Sequence, residues 1–87
     1  MKYIVFLSAE NDREIPIIFP STLVHLDVAK VMSKVVGTSK VTAAGELSSL
    51  DIDATCHGES TTIGIKSRGE VDSRLIAAYD YSFGMVK

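Results

Sequence analysis

The chain has 87 residues, 46% of them hydrophobic and 23% charged, which is the composition of one small globular domain and not of a disordered tail. A formal net charge of −2 argues against a general nucleic-acid binder, which carries a basic surplus. With Cys56 as the single cysteine, an internal disulfide and a four-cysteine zinc site are both excluded, and a reducing, cytoplasmic setting fits best.

Residues 2–9, KYIVFLSA, are β-branched and aromatic with apolar side chains on both faces, which predicts a central strand. Lys2 followed by a short apolar run faintly suggests a secretion signal, but the run is at the minimum length and lacks a basic lead-in. No stretch is long enough to span a bilayer. Glu10 to Glu14 reads as a polar turn, and Ile15 to Phe19 as the returning strand of a hairpin. Pro16 has no amide donor, which places that strand at a sheet edge or gives it a bulge.

Ser21 to Gly37 predicts the main helix. At about 100° per residue, Val24, Val28, Val31 and Val35 fall on one line that Met32 and Val36 broaden. Ser21 or Thr22 is placed to cap it, and Gly37 suits the left-handed position after it. Valines are poor helix formers, so the reading has that line buried against a sheet. His25 then sits at the margin of the buried stripe, and Leu26 lies opposite it as a candidate partner surface.

Thr38 to Leu47 predicts a third strand, weakened by Ala43, Ala44 and Gly45. Ser48 and Ser49 make a turn. Leu50 to His57 alternates, with Leu50, Ile52, Ala54 and Cys56 on one face and Asp51, Asp53, Thr55 and His57 on the other. Gly58-Glu59 suits a two-residue hairpin turn before a fifth strand, Thr61 to Ser67. Ser67-Arg68-Gly69-Glu70 fits a capping box, and Val71, Leu75, Ala78 and Tyr79 form a helical stripe. Leu75, Ala77, Tyr79, Tyr81 and Phe83 also alternate as a strand would. The helix, near residues 69–80, is the favoured reading. The order ββαβββα predicts an α+β domain with an antiparallel sheet of about five strands and both helices on one face.

Three groups could carry chemistry. Asp51, Asp53 and His57 share a strand face, and two carboxylates with an imidazole can bind a divalent metal or exchange protons. A solvated strand face explains the same residues more simply. Lys66, Arg68 and Arg74 could hold an anion near the second helix, where scattered surface charge is the plainer account. Cys56 beside His57 does not make a nucleophile pair, because neighbouring strand residues point to opposite faces.

Phe19-Pro20, His25-x-Asp27-x-Ala29, Ala44-Gly45, Cys56-x-Gly58-x-Ser60, Ser67-Arg68-Gly69-Glu70-x-Asp72 and Leu75-Ile76 run through most of the chain. In these features it resembles a group of short phage and prophage open reading frames. It departs from them at His57, where an aromatic residue, a tyrosine, is expected. The resemblance implies an origin in a phage or in bacterial cytoplasm and supplies no catalytic residue. The leading expectation is a non-catalytic protein–protein interaction or accessory module, with self-association as one form of it, no membrane contact and no cofactor. Its supports are a core of sufficient size, the lack of a convergent catalytic set, and a second sheet face left without a covering layer. The alternative is a small metal-dependent hydrolase using Asp51, Asp53 and His57. Nucleic-acid binding through Lys66, Arg68 and Arg74 ranks last.

Overall fold

The computed structural model describes residues 1–48 and 55–79. Their element order is β1 (Lys2–Leu7), β2 (Glu14–Phe19), α1 (His25–Val36), β3 (Val41–Leu47), β4 (Cys56–His57), β5 (Glu59–Ser60), β6 (Ile65–Lys66) and α2 (Glu70–Ala78). Strands β2-β1-β3-β4 form an antiparallel sheet in that spatial order, and β5 and β6 make a separate two-stranded ribbon. The α+β class stands.

β1 is the organising strand. Tyr3, Ile4, Val5 and Phe6 are all fully buried, so both of its faces are covered. Ile4 and Phe6 pack with Phe19, Ala44 and the α1 residues Val28, Ala29, Met32 and Val36. Tyr3 and Val5 pack on the other side with Ala43, Leu47, Cys56 and the α2 residues Leu75 and Ile76. The two helices therefore lie on opposite faces of the sheet. This corrects the expectation of helices on one face and of an uncovered second face. The pleat of β1 alternates large apolar side chains to both sides, and each side needs its own cover.

The first helix also differs in its orientation. It begins at His25 with Val24 as N-cap and no side-chain cap, so Ser21 and Thr22 do not perform that role. The buried face is centred on His25 with Val28, Ala29, Met32 and Val36. Val24, Val31 and Val35 are 41%, 63% and 70% exposed. The valine line sits about a quarter-turn from the face that meets the sheet. Of the predicted stripe, Val28, Met32 and Val36 meet the sheet, and Val24, Val31 and Val35 face away from it. Gly37 behaves as expected, with φ 79° and its amide donating to the Ser33 carbonyl at 3.0 Å.

β2 is an edge strand, as Pro16 requires, and pairs with β1 from Lys2↔Phe19 to Leu7↔Glu14. β3 keeps its small residues for packing reasons. Ala43 and Ala44 stand beside Val5 and Ile4, and a Cβ on Gly45 would lie 2.5 Å from the His57 carbonyl oxygen. The hairpin turn expected at Gly58-Glu59 falls instead at residues 61–64, because Glu59 and Ser60 already pair with Lys66 and Ile65. Thr61 to Ser67 is thus not one strand. Of the stretch Leu50 to His57, residues 50–54 lie outside the described residues, while Cys56 is buried and His57 exposed, as alternation requires. The second helix runs from Glu70 to Ala78, with Gly69 rather than Ser67 as its N-cap and with Val71 exposed.

Candidate functional site

The most concentrated chemistry lies under α2. Asp72 shares the buried face of that helix with Leu75 and Ile76 and is fully buried. One carboxylate oxygen accepts from the Tyr3 phenol at 2.5 Å and from the Arg68 backbone amide at 2.8 Å, and the other accepts from Arg68 Nε at 2.7 Å. Arg68 Nη1 reaches Glu14 on β2 at 2.8 Å, and the same Glu14 oxygen accepts from Thr42 Oγ1 at 2.6 Å. The Tyr3 hydroxyl proton goes to Asp72, so Ser67 Oγ, 2.6 Å away, donates to the phenol oxygen. The network ties β1, β2, β3 and α2 together. Arg68 Nη2 is its one buried polar atom without a partner among the described residues.

Burial raises the Tyr3 phenol well above the usual tyrosine range, and the hydrogen bond to the Asp72 carboxylate adds to it. Burial also raises the Cys56 thiol, against an opposing hydrogen bond from Ser73. A buried thiol held in its neutral form is a packing residue, not a nucleophile. For Arg68, burial opposes the charge, but the hydrogen bonds to Glu14 and Asp72 outweigh it and hold the guanidinium above its ordinary value. Apart from Arg68 Nη2, the polar atoms of this network bond one another, and the arrangement fixes α2 on the sheet.

Asp51 and Asp53 lie outside the described residues, and His57 projects from β4 into solvent opposite Glu46. Among the described residues no group of three or more His, Cys, Asp or Glu side chains is placed to hold a metal. Arg68 is engaged by two carboxylates and Arg74 pairs with Glu70 at 2.5 Å on an exposed helix face, while Lys66 is exposed on β6. Two of the three cations are thus already paired with carboxylates of this chain. Leu26 is 37% exposed on α1.

Asp72 is the buried polar residue that periodicity alone leaves unassigned, while His25, expected at the margin of the buried stripe, is fully inside it. Asp72 shares a helical line with Leu75, Ile76 and Tyr79, a carboxylate amid apolar neighbours, and that placement was a usable signal. His25 occupies the corresponding place on α1. Its Nε2 lies 3.0 Å from the Gly45 carbonyl and its ring meets Phe19 edge-on at 5.3 Å between centroids. Each sheet face therefore carries one helix anchored by one buried polar side chain.

Among the described residues, the outer side of α1 presents an exposed apolar row. Val24, Val31 and Val35 line it, with Leu23 46% exposed just before the helix. Asp27 in the first turn and Lys34 in the last turn flank the row on its solvent side, and neither forms an ion pair among the described residues. A shallower feature, a groove of about 390 Å³, opens between the β1–β2 turn and the end of α2, where Arg13 stacks over the Tyr79 ring. Comparison with protein-family models, curated proteins and solved structures finds no match to this chain.

Proposed function

We propose that this domain is a non-catalytic interaction module that associates with a second copy of itself through the outer face of α1. The observation that carries the reading is the exposed row Val24, Val31 and Val35. Valine at an exposed helix position costs on the order of half a kcal/mol relative to alanine. Three such residues in register weaken a helix that gains nothing from them in the monomer. Their spacing, with Val28 between them, alternates four and three residues, the pattern of a helix–helix seam. The buried polar groups support the same reading, since Tyr3, Asp72, Arg68 and Glu14 bond one another and leave no free acid, base or nucleophile in that cluster. The proposed surface thus moves from Leu26 to the valine row a half-turn away. With the resemblance to short phage and prophage reading frames, the role proposed is that of an accessory protein in bacterial cytoplasm.

Twelve helical residues extend about 18 Å, so the contact is smaller than a standard interface of about 1,600 Å². A dissociation constant on the order of 10 μM or weaker is expected. Sedimentation equilibrium across a concentration series tests this directly. The wild-type mass should rise toward twice 9.4 kDa, and Val31→Lys should remain monomeric with unchanged helical circular dichroism. A Val31→Lys protein that dimerises as the wild type does would exclude this face.

A further inference from the structure

We infer that the two α1 helices pair antiparallel, with Asp27 of each copy against Lys34 of the other; this rests on the self-association proposed above. Asp27 and Lys34 lie seven residues apart, two heptad-equivalent positions on one flank of the valine row. In an antiparallel pair Val24 faces Val35 of the second copy and Val28 faces Val31, which centres the valine layers between residues 29 and 30. In that register Asp27 lies opposite position 32 of the other copy, two residues or about 3 Å along the axis from Lys34. The flexible lysine stem spans that offset.

The charges select the direction. A parallel pair would turn that flank toward His25 and Met32 of the other copy and leave both charges without an ionic partner. The antiparallel pair brings the same flank of both copies together, gives each charge an opposite one, and opposes the two helix dipoles. Neither side chain has another ion-pair partner among the described residues to satisfy it first. The other flank, His25 and Met32, faces each copy's own core, so both sheets lie on the same side of the helix pair.

The test compares wild type, Asp27→Lys, Lys34→Asp and the double exchange by sedimentation equilibrium at low salt, with Val31→Lys as the interface control. Each single variant replaces two attractive contacts by two repulsive ones and should weaken association about tenfold. The double exchange should recover most of that loss, and an equimolar mixture of the two single variants should form a heterodimer tighter than either alone. If Val31→Lys breaks the dimer while neither single charge variant weakens it, the antiparallel inference is overturned and the α1 interface stands. If the wild type is monomeric at every concentration up to about 1 mM, the second copy is the wrong occupant and both proposals fall.

Discussion

Removing the Asp72 carboxylate should be the most damaging single change to this domain. In Asp72→Ala the Arg68 guanidinium keeps only Glu14, the Arg68 amide loses its acceptor, and Tyr3 keeps only Ser67. Breaking a buried ion pair from one side costs about 3–5 kcal/mol. At roughly 0.05–0.15 kcal/mol per residue, the whole domain is stabilised by about 4–13 kcal/mol. The variant should therefore sit close to its unfolding threshold. In urea, with a slope of about 1 kcal/mol per molar for this size, the midpoint should fall by about 3 M or more. Asp72→Asn keeps the volume and loses the charge, and its cost should be about 1–3 kcal/mol. A double-mutant cycle with Tyr3→Phe isolates the phenol–carboxylate bond, with a coupling of about 1–3 kcal/mol expected. A loss below about 1 kcal/mol in Asp72→Ala, the size of an ordinary surface change, would refute the claim that this carboxylate anchors α2.

Three further outcomes follow from the packing. Because the Tyr3 pKa is raised on folding, both states hold the phenol proton below about pH 10, and only the unfolded state releases it above that. Stability should fall with rising pH above about 10 by about 1.4 kcal/mol per unit, and Tyr3→Phe should lack that component in urea titrations at pH 9 to 11. Gly45→Ala places a Cβ 2.5 Å from the His57 carbonyl oxygen and 3.0 Å from Ser67 Cβ. Backbone cannot yield as a side chain does, so a loss of about 1–3 kcal/mol is expected by thermal melting, and an unchanged melting temperature would contradict the β3–β4 approach. Val35→Lys, at a position 70% exposed, should leave the monomer's stability unchanged or raise it by a few tenths of a kcal/mol. A loss above about 1 kcal/mol in dilute solution would show that Val35 is buried within one chain.

The legible parts of this fold are those fixed by local geometry. Gly37 ends α1 because only glycine adopts φ 79° there without strain. Pro16 marks an edge strand because it cannot donate to a second neighbour. Cys56 and His57 separate to opposite faces because strand residues alternate. The less legible parts depend on which neighbour a face meets. α1 has two overlapping apolar lines, one through Val28, Met32 and Val36 and one through the valine row, and periodicity does not say which meets the sheet. His25 decides it, because its ring fits against Phe19 and reaches the Gly45 carbonyl, contacts made by residues six and twenty positions away.

The same limit applies to the candidate site. Arg68 and Asp72 are close in sequence, but their partners Glu14 and Tyr3 are far from them along the chain. A local pattern cannot show that a surface-looking arginine neutralises a carboxylate on another strand. By itself the sequence determined the α+β class, the edge strand, the helix stop and the single buried thiol, since each follows from the stereochemistry of neighbouring residues. Only the tertiary structure decided that the helices flank the sheet from both sides, that Asp72 and His25 are interior and that the valine row faces outward. Those outcomes depend on which side chains meet across the fold, and such contacts form only when the whole chain has packed.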